Sequence, residues 1–171
     1  RAWLERSGVR FAARSRGERC EAGTEVYLGD TLGDLLNLYA AGDVAFVGGS
    51  LVPIGGHNLL EPAALGLPIL SGPYTFNAED IAQLLVREGA AGIVTTAPAL
   101  AARVAQLLAD PAERARIGTI GRAVVEANRG ALSRLLALLD PVIAATESPA
   151  TAPVRPAAVP APSSPSHPAS R

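Results

Sequence analysis

A chain of 171 residues with 15 Lys plus Arg against 16 Asp plus Glu carries a formal charge of -1, which argues against a polybasic nucleic-acid binder. The 49% of hydrophobic residues can supply one core, but only 4% are aromatic, so aliphatic side chains must build it and stacking on single-stranded bases is disfavoured. The one cysteine, Cys20, excludes an internal disulfide and a thiolate cage for zinc, and fits a reducing compartment.

Short β-branched or aliphatic runs alternate with stretches of helical period. Val9 to Ala13 and Val26 to Leu28 read as strands, followed by a helix from Leu32 to Ala41 with Leu35, Leu38 and Tyr39 on one face. Thr31 and Asp34 have the spacing of a weak capping box for that helix. A strand at Val44 to Val47, a helix at Leu59 to Leu65 and a strand at Ile69 to Leu70 come next. A helix at Ala78 to Glu88 carries the stripe Ile81, Leu84 and Leu85, and Ile93 to Thr95 is the last candidate strand. Helices are expected at Ala99 to Ala109, Pro111 to Asn128 and Ala131 to Leu139, with Asp110 as N-cap before Pro111 at the first helical position. The alternation predicts an α/β domain over residues 1–139, a parallel sheet with helices on both faces.

Residues 140–171 read as a separate Pro/Ala/Ser-rich tail. From Pro141 to Arg171 there are eight of the 14 prolines and three charged side chains, a composition that neither sustains helix hydrogen bonds nor fills a core. A disordered or extended segment is expected there, and His167 within it is a poor candidate for chemistry. No apolar run approaches the roughly 18 residues of a membrane span and no N-terminal signal pattern is present, so a soluble piece is expected. With Arg1 first and no methionine anywhere, the numbering is expected to begin inside a longer protein.

The richest stretch runs from Phe46 to Ala64, from a buried strand through two glycine pairs into a helix. Gly48, Gly49, Gly55 and Gly56 permit positive-φ turns and close approach of a ligand to the backbone. A loop leaving the carboxyl end of a parallel strand is the expected ligand position, and the following helix start adds N–H groups and a favourable dipole for phosphate or carboxylate. This is neither a Gly-Lys-Ser/Thr phosphate loop nor a Gly-x-Gly-x-x-Gly dinucleotide turn, which leaves ATP hydrolysis and hydride transfer without a sequence warrant. Plain turn formation is the alternative use of the glycines.

Ser50 can donate its hydroxyl to an anion, and Asn58 can both donate and accept at a base, sugar or carboxylate. His57 suits anion or sugar recognition, with a structural hydrogen bond or proton transfer as alternatives; with His167 the only other histidine, a histidine metal cluster is not expected. Glu61 can complete a capping box with Asn58, but Pro62 would then fall where the first helical N–H is needed. Pro62 at the first helical position is easier and frees the Glu61 carboxylate for two ribose hydroxyls. The loop from Leu70 to Asp80 is expected to open on the same edge, with Asn77 and Asp80 as another helix start; Thr75 and Asn77 can face the ligand there, and a plain capped strand-to-helix turn is the alternative. Asp30 and Thr31 can close the site from another side, although Asp30 also reads as a solvated turn acid.

Taken together, Gly29-Asp-Thr-Leu-Gly-Asp-Leu35, Phe46-Val-Gly-Gly-Ser-Leu51, Gly55-Gly-His-Asn-Leu-Leu-Glu-Pro-Ala63 and Gly72-Pro-Tyr-Thr-Phe-Asn77 resemble the bacterial 3-deoxy-D-manno-octulosonate (Kdo) transferase family. The resemblance covers roughly Arg1 to Leu139 and implies the C-terminal half of a GT-B glycosyltransferase, two Rossmann-like domains facing a cleft. It implies metal-independent, inverting transfer of Kdo from CMP-Kdo to a lipid A precursor, with no cofactor. It places Ser50 and its neighbouring glycines by the donor phosphate or carboxylate, His57 and Asn58 on the same polar face, and Glu61 at the ribose. Asp30, Thr31 and Gly33 correspond to the family's Asp-Thr-Met-Gly-Glu-Leu segment, with Leu32 and Asp34 as conservative departures; the family more often has histidine and phenylalanine at Tyr74 and Ala78. The catalytic base is implied to be a glutamate of the other domain, so no catalytic residue is expected in this chain and the chain alone is expected to be inactive. The implied partners are CMP-Kdo and, through the other domain, the lipid acceptor, at the cytoplasmic face of the bacterial inner membrane. Another GT-B enzyme, such as a UDP-sugar epimerase or glycosyltransferase, or a noncatalytic nucleotide-binding module, stays open beside it.

Overall fold

The structure is a computed structural model and describes residues 1–130 and 136–141. Of the tail expected at residues 140–171, residues 142–171, with His167, lie outside the described residues, as does the first half of the helix expected at Ala131 to Leu139; Asp140 and Pro141, expected in the tail, instead lie in a helix. The described chain falls into two units, Arg1–Arg129 and one beginning at Gly130. In the second, residues 136–141 are helical, with Leu136, Leu138 and Leu139 exposed.

The first unit runs α1 (Ala2–Ser7), β1 (Phe11–Ala13), a 3-10 turn (Arg14–Arg16), β2 (Val26–Leu28), α2 (Leu35–Ala40), β3 (Ala45–Val47) and α3 (Leu60–Leu65). It continues with β4 (Ile69–Ser71), α4 (Glu79–Glu88), β5 (Ala91–Ile93), α5 (Ala97–Ala109) and α6 (Pro111–Asn128). Every strand pair is parallel. The pairs form two ladders, β1-β2 and β3-β4-β5, where the sequence suggests a single sheet.

The β3-β4-β5 ladder is covered on both faces, which is why its strands read as continuous apolar runs. Val47 and Ile69 point to one side and pack with Leu59 and Ala63 around α3, Ala82 and Leu85 of α4, and Ile120 and Val124 of α6. Phe46 and Leu70, one residue out of phase, point to the other and pack with Val104 and Leu107 of α5 and Ile117 of α6. The long helix α6 thus supplies both cores.

Small residues let α6 lie close on α3. A Cβ on Gly118 would strike the backbone carbonyl of Gly66, and one on Gly121 would sit 3.4 Å from the Ala63 carbonyl oxygen. Arg122 Nη1 then donates to the Leu65 carbonyl at 2.9 Å, satisfying an acceptor left open where α3 ends at Gly66, whose φ of 73° is left-handed.

Local chemistry moves several boundaries. Asp110 caps α6 as expected, its Oδ1 accepting from Glu113 N–H at 2.9 Å. Thr96 caps α5 by accepting from Ala99 N–H, so that helix begins at Ala97 rather than Ala99 and holds Pro98 in its first turn. The last strand lies at Ala91–Ile93 rather than Ile93–Thr95. Gly89, at φ 83°, ends α4 abruptly, and Ala90 N–H returns to the Leu85 carbonyl, so pairing begins at once. The helix α1 has only Leu4 buried and no side-chain cap, too little periodicity to be read in advance.

Gly118→Ala is expected to lower the free energy of unfolding by about 1–3 kcal/mol through overpacking, although alanine gains about 1 kcal/mol in helix propensity. Gly121→Ala, with more room, should lose less. Urea denaturation of both variants checks the order.

Candidate functional site

The loop from Gly48 to Leu59 leaves the carboxyl end of β3, and the loop from Gly72 to Ala78 leaves that of β4. Parallel pairing puts both at one edge of the ladder. Gly49, Gly55 and Gly56 have φ of 70°, 104° and 71°, so three of the four glycines singled out in the sequence take the left-handed backbone that suits glycine. His57 lies over Gly49, its Nε2 3.3 Å from where a Cβ would be. Gly56 presses on Thr75, whose Cα would be 3.7 Å from an added Cβ. The structure therefore gathers Gly48, Gly49, Ser50, Gly55, Gly56, His57, Asn58, Glu61, Thr75 and Asn77 at one edge of the ladder, with Ser50, Gly55 and Gly56 buried there.

Ser50 departs from its expected use. Its side chain is fully buried, its Oγ donates to the Val47 carbonyl at 2.6 Å and accepts from Gly72 N–H at 2.8 Å. A hydroxyl has one proton to give. Ser50 gives it to the protein and has none for a bound anion. Gly72 itself is dictated by crowding, since a Cβ there would collide with the Ser50 carbonyl. Asn77 also departs, in that it starts no helix: α4 begins at Glu79 without a side-chain cap. Its Nδ2 donates instead to the Ile54 and Gly56 carbonyls, each at 3.2 Å.

At α3 the two readings of Glu61 are both modified. Pro62 is the third residue of the helix rather than the first, and the first helical bond is from Ala63 N–H to Leu59 carbonyl. Asn58 Oδ1 accepts from Leu60 N–H at 2.9 Å, while Asn58 Nδ2 donates to Glu61 Oε1 at 3.1 Å. Asn58 thus aligns the carboxylate, and Glu61 Oε2 makes no hydrogen bond among the described residues. Tyr39 of α2 is held near enough for the Glu61 charge to act on it, and burial first, then that charge, raises the Tyr39 hydroxyl above its usual pKa. With only six residues, α3 contributes little dipole. Loop N–H groups such as those of exposed His57 and Asn58, which make no hydrogen bond among the described residues, are the donors that an anion would meet.

Asp30, Thr31 and Gly33 form a second cluster, at the carboxyl ends of β1 and β2. Ser15 N–H and Oγ donate to the two Asp30 carboxylate oxygens at 2.9 and 2.7 Å. Thr31 Oγ1 donates to Asp34 Oδ2 at 2.6 Å, and Arg14 reaches the same carboxylate at 3.1 Å. The expected capping box therefore does not form; both side chains are spent on each other and on Arg14, and with Gly33 at φ 88° the helix waits until Leu35. Hydrogen bonds from Ser15 hold Asp30, and those from Thr31 and Arg14 hold Asp34, below the ordinary carboxylate range. Sequence spacing gave no sign of Arg14 and Ser15, which meet their partners only across the two strands.

From residue 20 to residue 86 the chain has neither lysine nor arginine, so the glycine loops offer an anion dipoles and N–H groups rather than side-chain cations. A cavity of about 200 Å3 lies toward the opposite end of the ladder, lined in part by Pro68, Gly89, Arg103 and Arg116. The glycine loops instead make an open face, with His57, Asn58 and Asn77 exposed and Glu61 and Thr75 half-buried. No group of three or more His, Cys, Asp or Glu side chains is arranged to hold a metal ion among the described residues. Nor is any described helix long and apolar enough to cross a membrane.

No family model matches the chain. It is 44% identical over 141 residues to the 3-deoxy-D-manno-octulosonic acid transferase of Haemophilus influenzae, covering 82% of this chain and 33% of that protein. It is 43% identical over 141 residues to the same-named enzyme of Bordetella pertussis, covering 81% and 33%. The chain thus spans about a third of the length of these curated relatives. A crystal structure of the C-terminal CMP-Kdo binding domain of WaaA from Acinetobacter baumannii matches with a TM-score of 0.69 and 35% identity, over 71% of this chain and 64% of that one.

Asp30→Asn tests the second cluster. A carboxyl whose folded pKa is depressed adds stability above its unfolded pKa and loses it as pH falls through the folded one. The variant should therefore melt below the parent at neutral pH, with the gap closing toward acid. Parallel melting curves across that range would remove the Ser15 to Asp30 contribution.

Proposed function

We propose, from the premise that the chain is homologous to the 3-deoxy-D-manno-octulosonic acid transferases and has the GT-B-like fold of their C-terminal domain, that it is the donor-binding lobe of a Kdo transferase. The reaction is transfer of Kdo from CMP-Kdo to a hydroxyl of a lipid A precursor. The observation that carries the reading is the joined pair of loops after β3 and β4, bearing the Gly-Gly-His-Asn to Glu run on an open edge of the ladder. An open face rather than an enclosed cavity fits a site completed by a second lobe across a cleft.

In this reading the Glu61 carboxylate, oriented by Asn58, accepts from the ribose hydroxyls through its uncommitted oxygen. The backbone around Gly48 and Gly49, with His57, Asn58 and Thr75, faces the phosphate and carboxylate of the donor, buried Gly55 and Gly56 shape the loop behind it, and Asp30, Thr31 and Gly33 bound the site beside β2. As the bond from the anomeric carbon to the CMP phosphate breaks, negative charge grows on CMP, and fixed N–H donors stabilise it without reorganising. The acceptor hydroxyl attacks from the opposite face, inverting the centre, and a glutamate of the other lobe takes its proton. The resemblance assigns this chemistry to hydrogen-bond donors rather than a divalent cation. The whole protein would act at the cytoplasmic face of the inner membrane, where a lipid acceptor is reached.

Glu61→Gln should weaken CMP binding by about 10- to 100-fold, the scale of a hydrogen bond to a charged group, without a large change in melting. Calorimetric titration checks this, and unchanged affinity rejects the ribose role. The same titration should show CMP preferred over UDP; the reverse order would favour another nucleotide-sugar enzyme. The 171-residue chain mixed with donor and lipid acceptor should show no turnover.

A further inference from the structure

We infer that Ser50 and Asn77 are positioning residues, which lock the two loops into a cradle formed before any ligand arrives. The inference rests on the reading of these loops as a nucleotide-sugar site and goes past it, because it says what keeps the site in shape.

The side-chain bonds that join the two loops link residues 21 to 23 positions apart in sequence, and they tie the loops at both ends. At the base, buried Ser50 bridges its own strand and the neighbouring loop, through Oγ to the Val47 carbonyl and from Gly72 N–H. Tyr74 N–H adds a bond to the Ser50 carbonyl at 3.0 Å. At the tip, Asn77 spends both amide protons on the Ile54 and Gly56 carbonyls, and its backbone N–H donates to the Gly55 carbonyl at 3.1 Å. Gly56 N–H closes the first loop on itself through the Gly49 carbonyl at 3.0 Å. Between the ties there is no room for side chains. A Cβ on Gly55 would lie 2.5 Å from Asn77 Nδ2 and from the Phe76 ring, and one on Gly56 would lie 3.2 Å from the Tyr74 carbonyl oxygen.

A loop of glycines has more backbone freedom to lose on binding than any other sequence. Left to itself it would order at the expense of affinity; a cradle already ordered keeps that affinity. The residues that hold it are then as necessary as those that touch the ligand. Their side-chain donors go to backbone carbonyls of the loops, whereas Asn58 donates to the Glu61 side chain on the exposed face. Ser71 makes a useful contrast. It is equally buried and adjacent to Gly72, but its hydroxyl has no partner.

The test is Asn77→Asp, which keeps the shape, removes both N–H donors and sets a carboxylate against two carbonyl oxygens. Asn77→Ala removes the tie without adding charge. Hydrogen exchange at the Gly56 and Asn77 amides of the unliganded 171-residue chain should quicken about tenfold or more in both variants. CMP affinity by calorimetry should fall by a similar factor, and the melting temperature should move little. Ser71→Ala should change neither exchange nor affinity. Weakened CMP binding with parental exchange would make Asn77 a ligand rather than a tie and overturn the inference, as would exchange and affinity that both stay parental. If exchange quickens while the parent chain itself binds no CMP, the nucleotide reading fails and the tie between the loops stands.

Discussion

A parallel ladder buried on both faces must satisfy its backbone within the sheet and expose polar chain only where its strands end. In this protein β3, β4 and β5 are three residues each, so most of the backbone that leaves the ladder does so within a short distance of both cores. The loops after β3 and β4 are consequently anchored where they leave the ladder. They begin on strands packed on both faces, with Val47 and Ile69 in one core and Phe46 and Leu70 in the other, and the first of them ends on α3, which α6 pins through Gly66, Gly118 and Arg122. The position of the candidate site follows from that enclosure before any polar residue is considered.

Much of this was legible from the sequence because the signals were local. The strands at Val26 to Leu28 and near Val47 and Ile69, the Asp110 cap and the loops of paired glycines all announce themselves by composition within a few residues. What was not legible was partner choice. Ser50 sits in a glycine loop and reads as a ligand donor, and only the fold shows Val47 and Gly72 occupying its hydroxyl. Thr31 and Asp34 have capping spacing, but Arg14, brought across from β1, competes for the same carboxylate. Spacing puts Pro62 at the first helical position, two positions earlier than its place as the third residue of α3. The first three N–H groups of a helix have no internal partner in any case, so proline at the third position costs little and gave no boundary.

The division into two ladders was likewise invisible, because alternation of strands and helices reports that strands are parallel and says nothing of which are neighbours. The consequence for function is modest. Each ladder still delivers its loops at its own carboxyl ends, and the solved Acinetobacter baumannii domain of matching fold is described as a CMP-Kdo binding domain. The two clusters differ in character, however. The one built on Asp30 and Asp34 is a closed set of mutual hydrogen bonds with Arg14 and Ser15, while the one built on the glycine loops keeps Glu61, His57 and Asn58 facing outward.

The long stretch without lysine or arginine has a bearing on how such a surface meets its ligand. Counterions in solution compete with charged side chains, but they compete poorly with amide groups whose orientation is fixed by the fold. Capture by this lobe would then depend on shape and contact once the anion has arrived, not on attraction over distance. Any long-range guidance would fall to arginines elsewhere, and dissolved salt would have little to mask at the loops themselves.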